Sequence, residues 1–144
     1  MIKLVKKKLK DQRGLTLVEL LAVIVILGII SAIAVPNIGN VISNSKDKAK
    51  VAEGLQIIEA AKLYVANNGD SITFDKDGKA TLDNNTLGSY LDHVKDNSYV
   101  VNLTKDANTG KISYSLSSHE SVALAAKSGA SEATEQDLVD YSKK

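Results

Sequence analysis

The chain has no cysteine and no tryptophan, and only one proline and one phenylalanine among its 144 residues. The absence of cysteine excludes a disulfide scaffold, a thiolate metal site, a cysteine nucleophile and a lipidated cysteine anchor. With five tyrosines and one phenylalanine, aromatic stacking platforms for sugars or bases are not expected. The net charge of +1, from 18 basic and 17 acidic side chains, argues against a nucleic-acid partner.

Motifs of catalytic and cofactor sites are also missing. The sequence contains neither the G-x-S-x-G nucleophile elbow nor a phosphate-binding P-loop. Its two histidines, His93 and His119, have no zinc-ligand spacing to other residues, and we predict both on the surface. Residues 75–78 resemble the start of a calcium loop, but Lys79 and Thr86 stand where oxygen ligands are needed, so a turn between two short strands is preferred. We therefore expect no enzyme, no metal and no cofactor.

Charge and hydrophobicity are strongly segregated along the chain. Residues 1–14 carry six bases and one acid, and the remainder has a formal charge of −4. Residues 15–35 are apolar except for Thr16, Glu19, Gly28 and Ser31, and as a helix they would span roughly 32 Å, close to the thickness of a bilayer core. A chain this short cannot surround a helix that is apolar on every side. We predict a membrane-spanning helix with the basic end cytoplasmic and the C-terminus outside.

Three interpretations of this apolar segment compete. A secretory signal peptide would end in a small-residue cleavage site, which Ser31–Ala34 could imitate, but its apolar run would be shorter. A plain signal anchor would explain the length of the run. Neither alternative explains an acid, Glu19, near the start of the segment.

The third interpretation rests on the string KDQRGLTLVELLAVIVILGIISAIAVP. It resembles the processing and assembly motif of type IV prepilins and the related pseudopilins. The resemblance implies that a prepilin peptidase cuts after Gly14, that Leu15 becomes the N-methylated terminus, and that Glu19 serves assembly. It also assigns helix softening to Gly28 and Pro36. Leu15 departs from the family, which most often has phenylalanine at this position.

The residues themselves give a physical reason for such an acid. A carboxylate in hydrocarbon costs about 2.5–3.5 kcal/mol, so intramembrane acids are usually partnered. Cleavage after Gly14 would create an α-amine at Leu15, and the amine of a neighbouring copy could pair with Glu19. The alternative is that Glu19 extends to the lipid headgroups. Pro36 should kink or loosen the helix, because it lacks a backbone donor, and Gly28 is a second weak point.

Beyond Pro36 the helical pattern continues and becomes amphipathic. Asn67-Asn68-Gly69 is a stop signal, with a left-handed conformation available to the glycine, so a helix from Leu15 to about Asn67 would be about 80 Å long. Its predicted apolar stripe consists of Ile38, Val41, Ile42, Ala49, Ala52, Leu55, Ile58, Ala61 and Val65.

Residues 70–144 have too few large apolar side chains for a core of their own. Alternation predicts antiparallel strands at 99–103 and 112–116, joined by a loop from Lys105 to Gly110. Further expectations are alternation at 71–74, a short helix at 87–94, a third strand at 122–126 with a short helix as alternative, and a helix or flexible tail at 132–141. A small antiparallel sheet facing the stripe of the long helix would bury both, which predicts an α+β fold.

The predicted layout is a cleaved leader at 1–14, a transmembrane assembly half-helix at 15–36, an amphipathic half-helix at 37–68 and a globular part at 69–144. The predicted function is a type IV pilus subunit that polymerises with copies of itself. The resemblance implies a prepilin peptidase, an assembly ATPase and a membrane platform as partners. The alternatives are a pseudopilin of a secretion or DNA-uptake machine, and an anchored surface domain with a single span that never polymerises.

Overall fold

The computed structural model describes the backbone of residues 2–144 and the side chains of residues 16–144. A long N-terminal helix is followed by a four-stranded antiparallel sheet and three short helices, so the expected α+β fold is confirmed. The elements are α1 (Ile2–Asn68), β1 (Lys79–Asp83), α2 (Asn84–Leu87), β2 (Val100–Lys105), β3 (Ile112–Ser117), α3 (Glu120–Ala125), β4 (Glu132–Thr134) and α4 (Glu135–Ser142), with 3-10 turns at Gly69–Ser71 and Gly88–Tyr90.

The chain divides into two compact units, one up to Ser43 and one from Asn44 to Lys144. We call residues 16–43 the stem and residues 44–144 the globular unit. Within residues 16–144, one helix, Thr16–Ser71, is long and apolar enough to cross a membrane, judged by length and composition.

The sheet of the globular unit has the strand order β1-β2-β3-β4, and all neighbouring strands are antiparallel. Its central row pairs Leu82 with Val101, Val101 with Leu116 and Leu116 with Ala133. All four side chains are buried, because successive residues of a strand face opposite sides and this row points toward the core.

The second half of α1 supplies the other side of the core. Val51, Ile57, Ile58 and Ala61 are buried together with apolar residues of the strands and of α2 and α4. Burial of one such large side chain is worth about 1.5–3 kcal/mol. The sheet and the helix therefore stabilise each other, as expected for residues that could not form a core alone.

The buried face of α1 differs from the predicted stripe. Ala49 and Ala52 are exposed, whereas Val51 and Ile57 are buried. The segment between β1 and β2 also covers this helix: Glu53 accepts hydrogen bonds from the backbone of residues 95–96. The helix is thus covered by more than the sheet, and its buried face is wider than a single stripe.

Two predicted elements of the C-terminal part are wrong. Residues 122–126 belong mainly to helix α3, the alternative, rather than to a strand. The helix expected at 87–94 is absent from this described region; α2 ends at Leu87, a 3-10 turn follows, and the chain then becomes irregular. Both segments are short, and their neighbours in the fold determine their conformation.

Other predictions were closer. The hairpin of β2 and β3 is confirmed, and Gly110 in its loop has a φ of 69°, a left-handed value that favours glycine. Residues 132–141 form β4 and most of α4. Of the two short strands expected on either side of the turn at 75–78, the one after it is confirmed as β1, whereas residues 72–74 form no strand.

Helix α1 ends at Asn68, as the stop signal predicted, but by a different mechanism. Gly69 opens a 3-10 turn instead of adopting a left-handed conformation. The side chain of Asn68 donates to the carbonyl of Tyr64 at 3.2 Å and to the hydroxyl of Tyr90 at 3.1 Å. These bonds tie the end of α1 to the segment that contains Tyr90.

Candidate functional site

The stem exposes nearly all of its apolar surface. Sixteen large apolar side chains between Leu17 and Ile42 are each 49–68% exposed. A soluble monomer rarely leaves an apolar surface of this extent uncovered, and such surfaces mark membrane or protein contacts. The stem is therefore the main candidate for the functional site.

Glu19 lies within this apolar surface and is exposed. Residues 16–43 contain no lysine, arginine or histidine, so a positive partner for Glu19 must come from outside the stem. Gly14 and Leu15, the predicted cleavage and methylation positions, lie outside the described side chains.

The two predicted softening positions both lie inside helix α1. A Cβ atom added at Gly28 would meet nothing within 4 Å, so packing within a single copy does not require glycine there. Pro36 has no backbone N–H to donate to the preceding turn. Next to it, the side chain of Asn37 donates to the carbonyl of Ile33 at 3.1 Å. The helix continues through Pro36 with this additional side-chain bond.

Two lysines of α1 bind the starts of the C-terminal helices. Lys50 contacts Glu120, the first residue of α3, at 2.9 Å, and Lys62 contacts Glu135, the first residue of α4. Hydrogen bonding to Glu120 raises the pKa of Lys50, and hydrogen bonding to Glu135 raises the pKa of Lys62. Acids in the first turn of a helix also interact favourably with the helix dipole. These pairs orient both helices on α1.

The prediction that both histidines lie on the surface is wrong for His119. The side chain of His93 is 93% exposed, whereas that of His119 is 1% exposed. The backbone N–H of Ser121 donates to Nδ1 of His119 at 3.1 Å, which makes His119 the N-cap of α3. Because Nδ1 accepts this bond, the neutral tautomer carries its hydrogen on Nε2, which lies 3.8 Å from Oε1 of Glu53.

The environment of His119 is structural rather than catalytic. Ser121, whose hydroxyl lies 2.7 Å from Nδ1 of His119, is completely buried. A substrate could not reach this serine without opening the fold. The close approach that buries it depends on Gly54, where an added Cβ atom would lie 2.5 Å from the Ser121 hydroxyl oxygen. A glycine inside an amphipathic helix was the sequence signal for this contact, and it was missed.

The turn at residues 75–78 uses its first carboxylate internally. Oδ1 of Asp75 accepts hydrogen bonds from the backbone of Asp77 at 3.0 Å and of Lys79 at 2.7 Å. Gly78 has a φ of 70° and lies against the carbonyl of Lys105. Among residues 16–144, no group of three or more histidine or acidic side chains could hold a metal ion.

Aspartates cap the other loops of the globular unit. A hydrogen bond from the Ser98 side chain lowers the pKa of Asp96, and a hydrogen bond from the Thr134 side chain lowers the pKa of Asp137. Thr134 and Asp137 form a reciprocal capping box at the start of α4. These charges therefore stabilise loops and helix ends.

Comparison with known proteins points to the stem. The family model of the prokaryotic N-terminal methylation motif matches residues 9–35. The chain is 32% identical over 82 residues to the type IV major fimbrial protein FimA of Dichelobacter nodosus, a match covering 55% of this chain and 49% of that protein. The chain thus spans about half the length of this fimbrial relative. No solved structure matches it.

A second relative is covered more completely. The chain is 30% identical over 100 residues to the type II secretion system core protein G of Klebsiella pneumoniae. This match covers 68% of the chain and 70% of that protein. The matched stretch of 100 residues is longer than α1, which has 67 residues, so the match also includes part of the chain outside this helix. With its N-terminal methylation motif, its long apolar helix and its antiparallel sheet, the chain belongs to the family of type IV pilins and type II secretion pseudopilins.

Proposed function

We propose that the chain is a pilin, a structural subunit that polymerises through its stem into the extracellular filament of a type IV pilus. The stem carries this proposal, because a single copy leaves its sixteen large apolar side chains exposed. The matched relatives are structural proteins and not enzymes, and this family implies assembly into a filament of many subunits. A bundle of stems would remove these apolar surfaces from water.

The precursor would be processed at its N-terminus. In this proposal, residues 1–14 are a leader that a prepilin peptidase removes after Gly14, and Leu15 is then methylated. The methylation-motif match at residues 9–35 supports this assignment, because it spans both positions. The rest of the layout is an assembly half-helix at 15–36, an amphipathic half-helix at 37–68 and a globular part at 69–144.

Glu19 would pair with the new terminal amine of a neighbouring copy. The stem offers it no basic side chain, and the surrounding side chains are apolar. In such surroundings the attraction between opposite charges is much stronger than in water. An unpaired Glu19 raises the free energy of the subunit in the bilayer. Pairing removes this cost and therefore favours the assembled filament.

Gly28 and Pro36 would allow the stem to soften within the filament. Nothing packs close to Gly28, and Pro36 removes one backbone hydrogen bond from α1. Local melting between them would let the filament extend without breaking contacts elsewhere.

The proposed partners follow from the same role. Before assembly, the stem would span the cytoplasmic membrane, with the basic leader inside and the C-terminus outside. The sequence has no phosphate-binding loop, so a separate assembly ATPase, acting on a membrane platform, would supply the work of extrusion.

A pseudopilin of a type II secretion or DNA-uptake machine is the second candidate. One relative that supports it is the Klebsiella pneumoniae secretion protein, of which the chain covers 70%. A pseudopilin would form a short rod with the same stem chemistry, so the two candidates differ in the length and purpose of the filament.

Electron microscopy of the source cells with an antibody against residues 70–144 tests the proposal. Long labelled filaments support the pilus, and a short rod required only for secretion or DNA uptake supports the pseudopilin. N-terminal sequencing of the mature protein should begin at Leu15. A mature chain that begins at Met1 would contradict both and favour a single-span surface domain.

A further inference from the structure

The globular unit has an apolar groove beside α1 that involves an exposed leucine. Leu63 is 53% exposed, and within residues 44–144 it is the large apolar side chain that stands out as exposed. It borders an open groove of about 580 Å³ between α1 and the segment before β2. The groove is lined by Leu55, Gln56, Glu59, Ala60, Leu63, Tyr90, Leu91 and Asp92.

One wall of the groove is fixed by several contacts. The rings of Tyr64 and Tyr90 meet edge to face, with their centroids 5.6 Å apart. The hydroxyl of Tyr90 accepts a hydrogen bond from Asn68 at 3.1 Å. Because Tyr64 and Asn68 both belong to α1, they hold the Tyr90 wall against the helix, and the groove is preformed.

The charges at the groove restrict what can occupy it. Its lining includes two acids, Glu59 and Asp92, and no base. Lys62 pairs with Glu59 at 3.1 Å. The completely exposed side chain of Asp92 has the exposed His93 beside it, with Nδ1 of His93 3.5 Å from Oδ1 of Asp92. A carboxylate-rich surface would therefore be repelled from this rim. An uncharged apolar segment would fill the floor without bringing a like charge against Asp92.

From Leu20 onward the stem matches these requirements, and residues 44–144 do not. From Leu20 to Ser45 the sequence carries no charge. Residues 44–144, in contrast, carry twelve bases and fifteen acids. In a filament of many copies, the sixteen exposed apolar side chains of each stem need apolar surfaces of other copies as partners.

We propose that the groove at Leu63 binds the stem of a second copy in the assembled filament. This inference rests on the proposed function, because it needs a filament, and it adds a contact between a stem and a globular unit to the contacts between stems. The side chain of Leu63 would be covered by apolar side chains of that stem.

Photo-crosslinking tests the contact directly. Benzoylphenylalanine is placed at position 63 in the full chain, filaments are collected and irradiated, and mass spectrometry locates the attached peptide. A mixture of isotopically heavy and light copies distinguishes bonds between copies from bonds within one. We expect cross-links between copies to peptides within residues 17–42. The same probe at Ala107, an exposed residue of the hairpin loop, should give none to the stem.

A pair of matched variants tests whether the contact matters. Leu63→Gln should lower the filament yield at least about tenfold, since it removes the burial of a leucine in every copy. Ala66→Gln, an exposed position one turn further along α1 and outside the groove lining, should assemble as the wild type does. Leader cleavage and melting temperature should be unchanged in both, because neither side chain is buried in the core.

The failures are distinguishable. Filaments in which position 63 cross-links only to residues 44–144, only within one copy, or not at all would overturn the groove contact and leave the proposed function intact. Normal filament yield from Leu63→Gln would also overturn it. If the wild-type chain forms no filament in its source cells, the proposed function itself fails.

Discussion

The stem and the second half of α1 are both helical and rich in aliphatic residues, but they differ in burial. Ile24 and Ile30 of the stem are 61% and 55% exposed, whereas Ile57 and Ile58 of the second half are completely buried. The difference is that the globular unit provides a sheet and short helices to cover Ile57 and Ile58. The stem must find its cover outside the single chain. Mutations in the stem should therefore affect assembly, and mutations in the core of the globular unit should affect folding.

The largest expected effect is the loss of filaments on Glu19→Ala. The variant should still insert into the membrane and lose its leader, because the apolar run and the cleavage position are intact, but no filament should form. Filaments are counted by electron microscopy, and cleavage is followed by N-terminal sequencing. Asp77→Ala, which removes an exposed charge from the turn before β1, is the control and should leave assembly unchanged. Normal filament yield from Glu19→Ala would refute its assembly role.

Two glycines of α1 test the same contrast through stability. Gly54→Ala should lower the free energy of unfolding by about 1–3 kcal/mol, since its Cβ would overlap the Ser121 hydroxyl. Gly39→Ala should cause no loss, because an added Cβ there meets nothing within 4 Å and alanine favours the helix. Urea unfolding of the full chain in detergent micelles measures both. Equal stability of the two variants would show that α1 does not pack closely against α3.

Substitutions of the two histidines should differ in their effect on stability by a smaller amount. His119→Ala should cost about 0.5–2 kcal/mol of stability, because it removes the N-cap of α3. His93→Asn should be nearly neutral, because His93 is exposed and asparagine tolerates its φ of 60°. The same unfolding measurements compare them. If His119→Ala were as stable as His93→Asn, the cap would contribute nothing.

The smallest expected effect is a change in acid sensitivity. Because the hydrogen bond from Thr134 lowers the folded-state pKa of Asp137 below the usual value for an aspartate, the contribution of Asp137 to stability is present above that usual value and is lost as the pH falls further. Asp137→Asn should therefore flatten the decline in stability as the pH falls below about 3.9, the usual pKa of an aspartate. Asp77→Asn, in an exposed turn, should leave the decline unchanged. An unaltered acid profile for Asp137→Asn would rule out a role for this charge.

Much of the fold was predictable because local signals agreed. The end of α1 at Asn68 and the hairpin of β2 and β3 both follow from nearby turn residues. The predictions for 87–94 and 122–126 were wrong: the first segment is mostly a 3-10 turn followed by irregular chain rather than a helix, and the second is mainly α3 rather than a strand. Both segments are short, so their local preferences are weak. Their conformation depends on contacts with distant parts of the chain, such as the pairing of Lys50 with Glu120 at the start of α3.

The candidate functional residues also include some that the sequence indicated and others that only the structure revealed. Glu19, Gly28 and Pro36 were chosen from the sequence, and the structure places them in α1 without testing the roles proposed for them. The groove at Leu63 could not have been predicted, because its two sides are about 27 residues apart in the sequence and meet only through folding. Neither could the burial of His119, which needs Glu53 and Ser121 around it.

By itself, the sequence determined the membrane-compatible helix. In hydrocarbon every backbone group must be satisfied within its own segment, so a long apolar run has little choice but to be helical. Only the tertiary structure decided which face of α1 is buried, where α3 begins and which leucine remains at the surface. Those outcomes depend on contacts between residues far apart in the chain, and such contacts outweigh the weak local preferences of short segments.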